Sequence, residues 1–195
     1  MINTALKYMG LNTQGKLALM DYYNSKIYPL IDNDRKYKIK PNDNWCAMFC
    51  SVIAHKIGRT KDNFPFEVSV FYMTRNAKRM GIFTTDLKKA QVNDLVVYDW
   101  KADGTLNHVG ILQEIGTDYI KVLEGNYSNT VKVRTVKMPN SEVYGYIKLN
   151  IGNDADIEQL ARDVIKGLYG NGEERKKALG QYYNQVQERV KQILK

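Results

Sequence analysis

Cysteine and histidine are both scarce in this chain. Its 195 residues contain only Cys46 and Cys50, four positions apart, and only His55 and His108. A secreted disulfide framework needs more cysteines than that. On a helix the two thiols would share a face, and the turn geometry opposes joining them. Any imidazole chemistry must use one of two side chains. No apolar run approaches the ~20 residues that span a bilayer, so membrane insertion is not expected. The opening stretch MINTALKYMG has no basic segment followed by an apolar one, so a cleaved leader is not expected either and synthesis in the cytoplasm is.

What is present suits a globular protein: 44% hydrophobic and 26% charged residues allow a core of useful size. Tyrosine outnumbers the other aromatics, with 14 Tyr against 5 Phe and 2 Trp. Its flat face and polar tip suit sugar and peptide ligands as well as cores. The formal charge is +8, and residues 1–150 carry most of it, with 21 Lys/Arg against 14 Asp/Glu. Such a balance favours an anionic partner. The cations are scattered, and no basic helix carries a nucleic-acid motif, so nucleic acid is not the expected partner.

The periodicity predicts an α+β chain. Leu6, Met9, Leu17 and Leu19 suggest two short helices in residues 1–25. Residues 28–44 are polar and read as a loop. Residues 45–57 are apolar over a helical length, with Gly58 as a C-cap, and 69–80 repeat the pattern before Gly81. Five strands follow, at 94–100, 108–113, 119–124, 130–138 and 143–149, with a hairpin turn at 116–118. The fourth alternates Val131, Val133 and Thr135 against Lys132, Arg134 and Val136, so it should be half-exposed. The expected domains are 1–150, a linker at 151–156, and a three-helix bundle at 157–195. In the last, Leu160, Val164, Ile165 and Leu168 form the first apolar stripe and Asp156 is an N-cap candidate.

Cysteine catalysis needs a thiolate, which a helix N-terminus favours. Cys46 opens the apolar helix, directly after the polar Asn42-Asp43-Asn44, whereas Cys50 lies one turn deeper among Phe49, Val52 and Ile53 and reads as a small core residue. His55 is two turns along the same helix, too far to reach Cys46. His108 opens a strand, and a strand-borne imidazole beside a helix N-terminus is the papain-like arrangement. Glu124 and Asn126 lie two residues apart on the next strand, so they should face one side and supply an acceptor for the imidazole.

The runs Asn44-Trp45-Cys46-Ala47-Met48-Phe49, Asn93-Asp94-Leu95-Val96-Val97-Tyr98, Asn107-His108-Val109-Gly110-Ile111 and Glu124-Gly125-Asn126 together resemble the CHAP domain. CHAP domains are cysteine peptidoglycan amidases and endopeptidases of papain-like α+β fold, with N-terminal helices on an antiparallel sheet. The resemblance covers about residues 1–150. It implies Cys46 as nucleophile, His108 as base, Glu124 as the group orienting the imidazole, and Asn126 as a fourth polar member. Trp45 would wall the cleft, and Asn44 could offer an oxyanion donor beside the Cys46 N–H. A Gly often stands where this chain has Asn93, a change that alters a turn. Some CHAP domains bind calcium before the cysteine; here Asp32 and Asp34 are the candidate ligands, although the implied chemistry requires no cofactor.

Residues 160–187, with Gly170-Asn171-Gly172-Glu173-Glu174-Arg175 as the most specific part, are similar to the helical cell-wall-binding repeat of certain phage lysozymes and amidases. Leu168-Tyr169 stands where a Lys-Trp pair is common. The resemblance implies muropeptide binding, with Asp163, Tyr169 and Arg175 as candidate contacts. Only one copy is present, so tight binding by avidity would need oligomerisation. A hydrolase followed by a wall binder is the plan of a phage endolysin, which implies action on bacterial peptidoglycan after release through a separate membrane-permeabilising protein. The competing readings are another papain-like hydrolase or transglutaminase, and a non-catalytic wall-binding or virion structural protein.

Overall fold

A computed structural model describes residues 1–31, 35–149 and 154–194. The chain divides into two compact units, Met1–Leu149 and Asn150–Lys195.

The first unit opens with α1 (Ile2–Leu6) and α2 (Lys16–Tyr22), continues through α3 (Cys46–Lys56) and α4 (Val70–Arg79), and ends in a sheet. Its strands are β1 (Phe83–Thr84), β2 (Leu95–Tyr98), β3 (His108–Ile115), β4 (Tyr119–Tyr127), β5 (Thr130–Lys137) and β6 (Val143–Ile147). They pair antiparallel throughout in the order β1-β6-β2-β3-β4-β5. The fold is therefore α+β, as the periodicity predicts. The two-residue β1 has no sequence signal of its own, because so short an edge strand shows no alternation.

Helix α3 is the buried axis of the unit. Every residue from Cys46 through Ala54 is buried, which is why its sequence is apolar on all sides rather than striped. It packs on β3 and β4. The opposite face of the sheet gathers Val96, Tyr98, Leu112, Ile120, Val122, Val136 and Tyr146 into a second cluster. β5 does not keep its expected alternation. Val131 and Val136 are both buried while Thr135 is exposed. One end of the strand is covered by the segment around Leu11, whose carbonyl accepts from Val131 N–H, and the other by the second cluster.

Two neighbouring side chains tie both ends of this unit. Asn93 Oδ1 accepts from Ile2 N–H, and Asp94 Oδ1 accepts from Leu149 N–H, each at 2.8 Å. Arg59 Nη2 donates to the Leu149 carbonyl at 2.8 Å. Asn93 has φ +81°, a left-handed conformation that Gly adopts freely and Asn tolerates better than most residues. The Asn that replaces a frequent Gly thus keeps the turn and adds an acceptor.

The second unit holds α5 (Asp154–Ile165), α6 (Gly172–Leu179) and α7 (Tyr183–Ile193). Its core is Ile157, Ala161, Val164, Leu179, Val186 and Val190. The expected stripe is therefore corrected. Ile165 and Leu168 are exposed, at 41% and 68%, and the buried line runs through Ile157 and Ala161 instead. The helix is described over Asp154–Ile165, so Asp156 lies inside it and not at its cap. The small Ala161 lets the helices approach closely, a role that counting only large apolar residues overlooks. Among the described residues no helix is long and apolar enough to cross a membrane.

Candidate active site

Cys46 is the first residue of α3 and is buried, at 3% exposure. The first intrahelical bond runs from Phe49 N–H to the Trp45 carbonyl, so the Cys46 N–H belongs to the unbonded first turn. His108 begins β3 and pairs in register with Tyr98 of β2. The Cys46 thiol, the His108 ring and the Glu124 carboxylate converge. Nε2 of His108 lies 3.8 Å from Glu124 Oε2, an ion-pair contact longer than a hydrogen bond. Burial opposes the charged ring, yet the Cys46 thiol and then Glu124 outweigh it, and the His108 pKa is pushed up to about 9. The imidazolium is therefore the prevailing form at neutral pH.

Glu124 is fully buried and is held by a residue that sequence reasoning passed over. Arg134 on β5 grips it with both prongs of its fork, Nε to Oε2 and Nη2 to Oε1, each at 3.0 Å. Burial pushes the Glu124 carboxyl up, but His108 and Arg134 outweigh burial and hold it below the usual range. In the sequence its signal is faint, since Arg134 is one of several polar residues on an alternating strand. A second omission is Trp100. Its indole stacks on the His108 ring, with centroids 4.7 Å apart and planes at 24°, while 40% of the residue remains exposed. Tyr127 meets both rings edge-on. Trp100 is two residues past Tyr98, and the loop that follows is closed by Asp99, whose carboxylate accepts from Asp103 and Gly104 N–H.

Two expectations fail. Trp45 is 1% exposed and packs edge-on against Phe49, so it is core and presents no wall to a ligand. Asn126 does not share the side of Glu124. The β4–β5 register shifts between Glu124 and Tyr127, Asn126 has φ +62°, and its Nδ2 donates to Asn44 Oδ1 at 3.2 Å. Strand alternation holds only while the ladder is regular. Asn44 and Asn126 thus brace each other at the surface beside α3. His55 stands elsewhere, its Nδ1 2.9 Å from the Tyr22 hydroxyl. Cys50 is buried beneath Cys46, and burial pushes its thiol well up. Asp32 and Asp34 lie outside the described residues. Among the described residues no group of three or more His, Cys, Asp or Glu is arranged to hold a metal ion.

In the second unit Asp163 accepts from Gln159 Nε2 and pairs with Lys166. Tyr169 packs against the core. Arg175 donates to the Gly170 carbonyl and to Asn171 Oδ1. Its guanidinium is thereby occupied in fixing the turn.

Residues 37–126 match the CHAP domain family, and residues 158–194 match the CW_7 repeat. The chain thus carries a CHAP domain followed by a CW_7 cell-wall repeat. The first implies peptidoglycan hydrolase activity and the second implies binding to the cell wall. No curated protein matches the chain.

Proposed function

We propose that this protein is an endolysin-type hydrolase that cleaves an amide bond of bacterial peptidoglycan by Cys-His catalysis. The observation that carries the reading is the convergence of Cys46, at a helix N-terminus, with a His108 whose imidazolium is favoured. Cys46 Sγ, its proton already passed to His108, attacks the amide carbonyl. His108 then protonates the leaving amine as the C–N bond breaks. A water, deprotonated by His108, releases the acyl group and restores the thiol. The Cys46 N–H donates to the oxyanion. Asn44, whose Oδ1 is bonded to Asn126, offers its Nδ2 as a second donor.

The CW_7 unit supplies the address by binding muropeptide, with Asp163 and Tyr169 as ligand contacts and Arg175 shaping the turn beside them. Action on the wall from inside a host cell requires a separate membrane-permeabilising protein.

Mass spectrometry of digested Gram-positive peptidoglycan tests the reading. Released stem peptides beginning with alanine identify an N-acetylmuramoyl-L-alanine amidase; shortened or uncrosslinked stems identify an endopeptidase. No product from several wall types sinks it. Deleting residues 156–195 is expected to lower wall sedimentation by about ten-fold or more while sparing hydrolysis of small soluble muropeptides, because the first unit has its own core and both its ends are bonded within it. Unchanged sedimentation would refute the address role.

A further inference from the structure

The carboxylate facing His108 is not free to approach it. Both oxygens of Glu124 accept from Arg134, and the nearer one stops 3.8 Å from Nε2. That nitrogen is buried, with no hydrogen-bond partner among the described residues. Without the fork, a buried carboxylate beside a buried cationic ring would close to a charge-assisted bond of about 2.8 Å. Arg134 is itself fixed, because its guanidinium lies over the rings of Tyr98 and Tyr127, 4.8 and 4.9 Å from their centroids. These same rings flank His108. The fork, the carboxylate and the imidazole therefore form one braced line across β5, β4 and β3.

We propose that Arg134 is a positioning residue, which holds Glu124 at a stand-off from His108 so that the imidazole is oriented without being locked in an ion pair. The inference rests on the proposed role of His108 as proton carrier. A ring that must donate its proton to a leaving amine works best when its proton is not held too tightly. Full contact with Glu124 would hold it tightly; the fork prevents that contact. Arg fits this task and Lys does not, since only a planar guanidinium takes both carboxylate oxygens at once.

The charged and titratable groups around the ring are Cys46 from α3, Glu124 and Tyr127 from β4, Tyr98 from β2, and Arg134 behind Glu124. Burial and then Glu124 push the Tyr98 hydroxyl up, so it stays neutral. Removing Arg134 takes away a cation and releases a carboxylate toward the ring, and both changes act in one direction. His108 should gain affinity for its proton.

The test is NMR titration of the full-length protein with ring-labelled histidine, in wild type, Arg134→Met and Arg134→Lys, alongside pH profiles on a soluble muropeptide. With only two histidines, His108→Ala assigns the signals. The His108 titration should rise by about one pH unit in Arg134→Met and by less in Arg134→Lys. The basic limb of kcat/KM should move with it, with kcat down on the order of ten-fold and KM changed less than about two-fold. If Arg134→Met does not fold, Arg134→Lys carries the test, since it keeps the charge and loses the fork. An unmoved His108 titration in a folded variant overturns the proposal, even if activity falls. A wild type without Cys46-dependent hydrolysis would instead overturn the catalytic reading, while the titration would still report on Arg134.

Discussion

Cys46→Ala is expected to abolish peptidoglycan hydrolysis, by roughly 10⁴-fold or more, while leaving the fold in place. The size of the effect follows from the chemistry proposed: without Sγ there is no acyl-enzyme, and the proton held on His108 has no leaving amine to go to. Cys46→Ser should be nearly as inactive, because a hydroxyl is a far weaker nucleophile at the same position. The fold should survive because the substitution removes one buried atom at the end of a helix whose remaining residues are packed, at a cost of about 1 kcal/mol. Turbidity loss of a wall suspension and a thermal melt measure the two halves. Cys50→Ala is the informative companion, since Cys50 is buried one turn below. Activity that survives in Cys46→Ala and is lost in Cys50→Ala would mean that the nucleophile is misassigned.

Gly125→Ala should damage stability and activity together. A Cβ built on Gly125 falls 2.7 Å from both Cβ and Cγ of Phe49. Phe49 cannot retreat: it is fully buried and meets Tyr8 and Trp45 edge-on. Overpacking of this kind costs about 1–3 kcal/mol, or roughly 2–12 °C in Tm for a domain of this size. Relief must come from moving α3 away from β4, and these elements carry Cys46 and Glu124. A displacement near 1 Å at a catalytic group costs about a hundred-fold in rate, so kcat should fall by that order in protein that is still folded. An unchanged melt and unchanged kcat would show that α3 and β4 are less tightly coupled than their packing implies.

Much of the layout was legible because its signals are local. The α3 sequence is apolar from Cys46 to Ala54 apart from Ser51, and a glycine with φ +83°, Gly58, follows its C-cap. The hairpin between β3 and β4 announces itself in Gly116-Thr117-Asp118. The convergence of Cys46 with His108 was suggested by a helix start and a strand start in one chain. What escaped depends on partners distant in sequence. Arg134 is ordinary until β5 is registered against β4 and its fork meets Glu124. Trp100 gains meaning only when β2 brings its loop over His108. Trp45 is adjacent to the nucleophile and yet points into the core, because successive residues on a helix start point in different directions. Asn126 was misplaced by a ladder irregularity that alternation cannot foresee.

The ties at Asn93 and Asp94 matter once the tail is holding on to something. A pull carried along the backbone enters the first unit at Leu149, its last residue. There the load meets Asp94 and Arg59 at once, one holding the amide and the other the carbonyl. β6 ends two residues earlier, and between them Lys148 N–H donates to the Ile82 carbonyl at 2.7 Å. The seam works as a strain relief, of the kind that spreads tension on a cable before it reaches the connector: a pull is shared between Asp94 just before β2, Arg59 and the Ile82 carbonyl instead of falling on the end of β6 alone.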